Sequence, residues 1–180
     1  WLNADDWYPP GTFDRVADAA IRHPNAEWFT GRCLIVDANG SEIRRLVTLY
    51  KNSLLRLYSF PLFLTQNFVS CPATFVRRDA YESVGQFRLD YRYSMDYEMF
   101  LRIARRGDPV ILHRDLAVFA MAEGSKSMSG FEEQFKEHHQ QAQEHGCGHP
   151  FAVGANRTMS SLITTAYRAM RRLQIGRAHV

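Results

Sequence analysis

Residues 28–40, WFTGRCLIVDANG, carry the signal that decides the fold. The mostly apolar run from Trp28 to Val36 predicts a buried β-strand. The Asn39-Gly40 pair that follows predicts a tight turn of the kind that closes hairpins. Patterns typical of helices and of strands alternate along the rest of the chain, and this alternation predicts the α/β class.

Helices are expected where apolar residues recur at intervals of three and four. The first helix, with Thr12 as its N-cap, places an apolar stripe on one face through Phe13, Val16, Ala17, Ala20 and Ile21. The other predicted helices are residues 77–84, 96–106, 130–144 and a final amphipathic one from Met159 to Leu173. Strands are predicted at residues 28–36, 71–76 and 110–121, and residues 2–6 are interpreted as a strand end that runs into an acidic loop. Residues 46–63 are expected to be mostly helical or irregular.

Composition narrows the class of protein. The chain has 180 residues, of which 46% are apolar and 23% charged, as in an ordinary globular domain. No window is long and apolar enough for a membrane span. Three cysteines, Cys33, Cys71 and Cys147, are odd in number and far apart, which favours a reducing compartment over a disulfide framework.

The positive charge is confined to the end of the chain. The net charge is +3, but five arginines and no acidic residue follow Glu144, so the remainder is close to neutral. This distribution argues against a nucleic-acid partner. The arginine-bearing final helix has two open interpretations, an anionic membrane surface as its partner or a packed helix with a solvated face.

Oxygen ligands cluster near the start of the chain, at Asn3, Asp5 and Asp6. Hard oxygen ligands at this spacing suit Mg²⁺ or Mn²⁺ shared with substrate phosphates. The alternative is that the Asp pair caps the helix that follows. A second candidate, Asp96, opens a predicted helix and has the same alternative role, whereas Glu98 is expected to pair with Arg102 four residues on.

Four blocks of sequence resemble glycosyltransferase family 2 enzymes, which have the GT-A fold. Residues 1–11, WLNADDWYPPG, are similar to the family's metal-binding loop. Residues 72–78, PATFVRR, followed by Gly85-Gln86-Phe87, resemble the acceptor-side strand and helix. Residues 93–102, YSMDYEMFLR, resemble the block with the catalytic base, and residues 124–127, GSKS, resemble a loop that closes the site. The blocks occur in the family's order and are more specific together than singly.

The resemblance implies a metal-dependent, inverting transfer of a sugar from a nucleotide-sugar donor to a saccharide or lipid-linked acceptor, in the synthesis of a bacterial surface polysaccharide or glycoconjugate. Mn²⁺ or Mg²⁺ on Asp5 and Asp6 would offset the charge of the leaving nucleoside diphosphate, and Asp96 would take the acceptor proton. The implied location is the cytoplasm, with peripheral contact at the inner membrane face. The other candidate donor- or acceptor-binding residues are Asn3, Trp7, Thr74, Arg77, Tyr93, Glu98, Arg102, Ser125 and Lys126.

The resemblance also sets the expected organisation. Residues 1–130 are expected to form part of a GT-A domain, a mixed sheet flanked by helices, without the N-terminal nucleotide-binding half that the family places before this point. The chain alone is therefore expected to be inactive. Residues 131–174 are a C-terminal helical extension with amphipathic helices, and residues 175–180, IGRAHV, resemble a translated sequencing adapter and are interpreted as an artefact.

The chain departs from the family's pattern at four positions. Asn3 stands where Asp often begins the acidic motif, and Met95 where many members place Glu. Ala120 and Ala122 stand where the closing segment often has Arg and His. A second hypothesis therefore stays open, a non-catalytic GT-A-like binding protein whose aspartates are helix caps and whose basic tail helix binds a membrane or a partner.

A dense group of metal-capable side chains lies in residues 138–149. The group consists of His138, His139, His145, Cys147 and His149. It invites a zinc interpretation, but the spacing matches no familiar zinc motif. A polar helix end and loop is the favoured alternative.

Overall fold

The computed structural model describes residues 1–121 and 130–177, with side chains through Arg168. Its centre is a mixed three-stranded sheet of β1 (Trp28–Val36), β2 (Thr74–Val76) and β3 (Val110–Ala120), in the order β2-β1-β3. The central strand β1 runs parallel to β3 and antiparallel to β2. Helices flank this sheet, so the predicted α/β class is confirmed, and the predicted strand at 28–36 is confirmed to the residue.

The helices of the described residues account for about half of the chain. They are α1 (Thr12–Arg22), α2 (Arg45–Arg56), α3 (Phe60–Thr65), α4 (Arg78–Val84), α5 (Met95–Ala104), α6 (Phe131–His145) and α7 (Pro150–Arg177), with a 3-10 turn at Cys71–Ala73. The ambiguous segment 46–63 thus lies in the helix pair α2 and α3. The final helix begins at Pro150, nine residues before the predicted start at Met159.

Helix α1 forms where it was predicted, but the expected orientation was wrong. Phe13 is 64% exposed and Ile21 is 78% exposed, whereas Thr12 and Ala19 are buried. Thr12 is not the N-cap, because Gly11 takes that position in a left-handed conformation and the Thr12 hydroxyl donates to the Leu116 carbonyl at 3.1 Å. Thr12 and Ala19 thus lie on the buried face of this helix, Val16 is half-buried against the core, and Phe13 and Ile21 are left exposed.

Two further local predictions differ from the structure. Residues 2–6 form an acidic turn without a strand, followed by a single bridge between Trp7 and Val118. Only the second half of the predicted strand 71–76 is extended, because Pro72 lies in a 3-10 turn. The Asn39-Gly40 turn does return the chain onto β1, but the returning segment makes one bridge, from Glu42 to Val36, before α2 begins.

The main core lies between the sheet and helices α3 and α5. Trp28 is fully buried, stacks on Phe100 at 6.0 Å between ring centroids, and donates its indole N–H to the Gly107 carbonyl at 2.9 Å. The predicted apolar face of α5 is confirmed, because Met99, Phe100, Ile103 and Ala104 are all buried. Trp28 therefore fixes α5 against the sheet, and with it the position of Asp96 in the first turn.

Glycine permits a close approach between two strands. A Cβ at Gly31 would lie 2.6 Å from the side chain of Leu116, well inside van der Waals contact. The register of β1 and β3 shifts immediately after Gly31 and again after Arg32. The absence of a side chain at Gly31 thus lets Leu116 pack across the irregular part of the parallel pair.

The C-terminal helices pack onto this body. Asn156 of α7 is fully buried and donates to the carbonyl groups of Leu64 and Thr65 at 3.0 and 3.2 Å. Tyr167 stacks on Phe131 of α6 at 3.9 Å. Among the described residues, no helix combines the length and the apolar character needed to cross a membrane.

Candidate functional site

The acidic loop at residues 3–6 is fastened to the end of β3. Asp6 is 6% exposed, and one of its carboxylate oxygens accepts from the Ala120 backbone N–H at 3.0 Å. The other oxygen accepts from the Asn3 side-chain amide at 2.9 Å. Neither Asp5 nor Asp6 caps α1, so the capping alternative for this pair was wrong. Asn3 and Asp6 instead shape the loop, and exposed Asp5 is left facing solvent.

The loop lies at the carboxyl end of the parallel strands. Ala120 ends β3 and is paired in register with Val36, the last residue of β1. In open α/β sheets, ligands bind outside the carboxyl ends of strands. The loop is therefore at the edge of the sheet where a ligand site is expected.

The carboxylates of this loop are ligands of the kind that hold a hard cation weakly, with substrate phosphates as further ligands. Mg²⁺ is commonly bound through one or two carboxylates together with substrate phosphates. Asp5 accepts no hydrogen bond from the described part of the chain, so its carboxylate is available, with Asp6 next to it. Burial raises the pKa of Asp6 above its ordinary value, although the bonds from Ala120 and Asn3 oppose this shift. Within the described ranges, no cluster of three or more His, Cys, Asp or Glu side chains could hold a metal.

Asp96 lies half-buried in the first turn of α5. One carboxylate oxygen accepts from the Tyr97 backbone N–H at 2.8 Å, but Ser94 takes the N-cap position, so the capping alternative for Asp96 was wrong. Burial raises the pKa of Asp96, and the Tyr97 bond and the nearby Lys51 ammonium oppose the rise. A carboxylate whose pKa is raised is a stronger proton acceptor than one at its ordinary value.

Asp6 and Asp96 approach a common neighbour, Cys71. Burial raises the pKa of the Cys71 thiol, and the charges of Asp96 and Asp6 raise it further. The two carboxylates, ninety positions apart in the sequence, are thus close to one thiol near the carboxyl edge of the sheet. Sequence reasoning treated them as separate candidates, and their convergence on Cys71 is a tertiary feature.

A cavity lies beside Cys71. It has a volume of about 690 Å³, within the range of small-molecule sites. Its walls come from the first residue, from β2, from α4 and its following loop, and from α5. The lining residues are Trp1, Cys71, Thr74, Phe75, Val76, Arg78, Tyr81, Glu82, Gly85, Gln86, Phe87, Met99 and Phe100.

Sequence reasoning missed Lys51, whose side chain lies on the inner side of α2. Its ammonium group donates to the Ser70 hydroxyl at 3.4 Å. Burial lowers the pKa of Lys51, and the nearby Cys33 and Asp96 side chains oppose this. A lysine in an apolar helical segment gave no local signal, because only the fold brings it towards Asp96.

Helix α6 holds the loop that precedes Asp96, and this role was also missed. The Glu137 carboxylate accepts from the backbone N–H groups of Arg92 and Tyr93, each at 2.9 Å, and from the Ser94 hydroxyl at 2.8 Å. Gln141 donates to the Ser94 hydroxyl and carbonyl at 2.8 and 3.1 Å. These contacts fix residues 92–94, immediately before α5, and so define where the helix begins and where Asp96 lies in its first turn.

Glu98 and Arg102 pair as predicted, but inside the protein. Glu98 is 1% exposed and accepts from Arg102 at 2.8 Å and from the His145 ring at 3.1 Å. Burial alone would raise the pKa of Glu98, but the bonds from His145 and Arg102 hold it below its ordinary value. Arg102 also donates to the carbonyl groups of Val84, Gly85 and Gln86, which ties α5 to the end of α4.

Two more predicted binding residues have internal partners. Arg77 donates to the Ala26 and Ala20 carbonyls at 2.7 and 2.9 Å, so its guanidinium is engaged within the protein. Thr74 is buried and exchanges a hydrogen bond with the Thr30 hydroxyl at 3.0 Å, although it also lines the cavity.

The aromatic candidates are more open to solvent. Trp7 is 45% exposed and joins β3 only through its backbone. The Tyr93 ring lies against Gly130, the residue before α6, where a Cβ would lie 1.9 Å from the ring, so a side chain at this position would displace the ring. Ser125, Lys126 and Ala122 lie outside the described residues.

The histidine-rich segment does not converge on one point. His138 is buried between Tyr97 and Phe135, His139 contacts the Asn156 side chain at 3.1 Å, and His145 contacts Glu98. The positions of these rings favour the alternative to zinc, a polar helix end. In the tail, exposed Arg168 pairs with Glu132 at 2.7 Å.

Comparison with known proteins gives no assignment. No protein-family model matches the chain, and no curated protein matches it.

Proposed function

We propose that this chain takes part in metal-dependent, inverting transfer of a sugar from a nucleotide-sugar donor to an acceptor hydroxyl, as a portion of a GT-A-like glycosyltransferase. One observation carries the proposal. Three of the four blocks that resemble the family, far apart in sequence, line the same cavity of about 690 Å³. Trp1 belongs to the first block, Phe75 and Phe87 to the second, and Met99 and Phe100 to the third.

None of the three candidate carboxylates lines the cavity itself, but the surroundings of Asp5 and Asp96 are compatible with two different roles. Asp5 is exposed and available at the carboxyl edge of the sheet, and a divalent cation there would neutralise charge on a leaving diphosphate. Asp96 is partly desolvated, with a raised pKa, as suits a group that accepts the proton of an acceptor hydroxyl. Asp6 is assigned to holding the loop, since both of its oxygens already have donors.

The cavity itself suits the acceptor. Its aromatic walls, among them Trp1 in edge contact with Phe87 at 5.3 Å, offer faces on which a saccharide ring can stack. Arg78, Glu82 and Gln86 add polar groups that can bond hydroxyls. A saccharide acceptor, free or lipid-linked, is therefore assigned to this cavity, and the donor to the side of Asp5.

The test is the thermal shift of a chain extended upstream by the nucleotide-binding half that the resemblance implies, measured with nucleoside diphosphates and nucleotide-sugars, with and without Mn²⁺. A ligand at about a hundred times its dissociation constant adds about 2.7 kcal/mol to the free energy of unfolding. We expect a shift that requires both metal and nucleotide, that disappears in Asp5→Ala and that persists in Asp96→Asn. Asp18→Ala, which removes an exposed carboxylate of α1, is the matched control.

A second candidate function is a non-catalytic GT-A-like binding protein. It is favoured by the engagement of both Asp6 oxygens and by the lack, among the described residues, of a group of three metal-capable side chains. A folded chain that shows no shift with any nucleotide, but does shift with a saccharide, would support this second function against the first.

A further inference from the structure

Helix α2 presents an apolar stripe to solvent. Leu46 is 82% exposed and Leu57 is 70% exposed, and Leu49 and Tyr50 between them are about half exposed. These four side chains, here named the α2 stripe, follow the helical spacing and lie on one face. The opposite face carries Thr48 and Leu55, which are buried against the body. Large apolar side chains thus lie on the outer face of the helix as well as on its inner face.

Arginines border the α2 stripe. Arg44, Arg45 and Arg56 are exposed, and in the described part of the chain neither Arg45 nor Arg56 is paired with a carboxylate. Residues 43–78 contain no Asp or Glu at all. Arg45 and Arg56 therefore flank the stripe without a carboxylate from the segment that carries it, although the chain without its tail is close to neutral.

We propose that the α2 stripe is a docking surface for an anionic lipid membrane, on which α2 lies flat. Its leucines would enter the boundary between headgroups and acyl chains, and Arg45 and Arg56 would contact the lipid phosphates. A helix of twelve residues offers a contact about 18 Å long. Tyr50, whose hydroxyl accepts from the Gln66 amide at 2.6 Å, has the amphipathic character typical of membrane interfaces.

Charge decides between a membrane and a second copy of the chain. Two α2 helices packed antiparallel across a two-fold axis would bring Arg45 of one copy towards Arg56 of the other, which is unfavourable. An anionic surface meets the same arginines with opposite charge. This inference is independent of the proposed transfer reaction.

The test is sedimentation of the full chain with phosphatidylcholine vesicles, with and without phosphatidylglycerol, at low and raised salt. We expect binding only to the anionic vesicles, weakened by salt. Arg45→Gln and Arg56→Gln should each lower the partition coefficient about fivefold, and Leu46→Gln with Leu49→Gln about tenfold or more.

A matched control is Phe13→Gln with Ile21→Gln, which removes comparable exposed apolar groups from α1 and should leave vesicle binding unchanged. All of these positions are exposed, but the Phe13 ring also contacts Tyr8 and Phe75, so the thermal stability of each variant is measured beside its vesicle binding. The proposal is overturned if the parent does not bind anionic vesicles at low salt, or if the α1 and α2 variants lose binding equally. It is also overturned if the chain is a dimer in solution that the Leu46→Gln, Leu49→Gln variant dissociates.

Discussion

Replacing Glu137 with alanine should destabilise the fold more than any other single carboxylate change on α6. Its side chain is 9% exposed and accepts three hydrogen bonds, from Arg92, Tyr93 and fully buried Ser94. Water can replace the carboxylate at the two backbone N–H groups, so each of those bonds is worth about 1 kcal/mol, whereas the buried Ser94 bond is worth about 2 kcal/mol. The expected loss in the free energy of unfolding is about 4 kcal/mol, or a melting temperature lower by about 10 °C.

The assay is urea denaturation followed by tryptophan fluorescence, with Glu133→Ala as the matched control. Glu133 lies on the same helix, is exposed and pairs only with Lys136 at the surface, so its removal should cost less than about 0.5 kcal/mol. A double-mutant cycle of Glu137→Ala and Ser94→Ala should give a coupling energy of about 1–2 kcal/mol. If Glu137→Ala costs no more than Glu133→Ala, the assignment of α6 as the element that fixes the loop before Asp96 is refuted.

Three other predictions concern titratable groups. The pKa of Glu98 is held below its ordinary value of 4.5, so the stability that this group contributes is present above pH 4.5 and is lost as the pH falls further. In denaturation curves, Glu98→Gln should lower the free energy of unfolding by about 3 kcal/mol at pH 7 and by less at pH 3. Burial lowers the pKa of His138 from 6.5 to about 3. Between these two pH values the imidazole is protonated in the unfolded chain but not in the folded one. The free energy of unfolding should therefore fall by about 1.4 kcal/mol for each pH unit of acidification. His138→Phe should remove that slope, and an unchanged slope would show that this ring is not the group responsible. Burial raises the pKa of Cys33 to about 11 and that of Cys71 above its ordinary value, whereas Cys147 is exposed. A thiol reagent at pH 8 should therefore label Cys147 quickly, and all three cysteines only after denaturation. Rapid labelling of two or three thiols in the folded chain would contradict this.

Local pattern was sufficient for much of the secondary structure. The apolar run of β1, the helical spacing of α5 and the Asn39-Gly40 turn were each predicted from a few neighbouring residues, since backbone geometry acts over that range. The sequence pattern failed to predict which face of a helix is buried where tertiary contacts determine it. In α1 the apolar stripe was visible in the sequence, yet the helix buries Thr12 and Ala19 and leaves Phe13 and Ile21 exposed, because the Thr12 hydroxyl bonds the Leu116 carbonyl of β3.

The candidate site divides in the same way. The sequence by itself determined the residue types, the carboxylates Asp5, Asp6 and Asp96 among them, because those are fixed by composition and spacing. The tertiary structure decided which contacts these carboxylates make. Asp6 is turned inward and accepts from the Ala120 N–H. Asp96 follows a loop that Glu137 binds from more than forty residues away. No local pattern encodes such pairings, since each partner alone is an ordinary polar residue and only the packing of helices on the sheet brings donor and acceptor together.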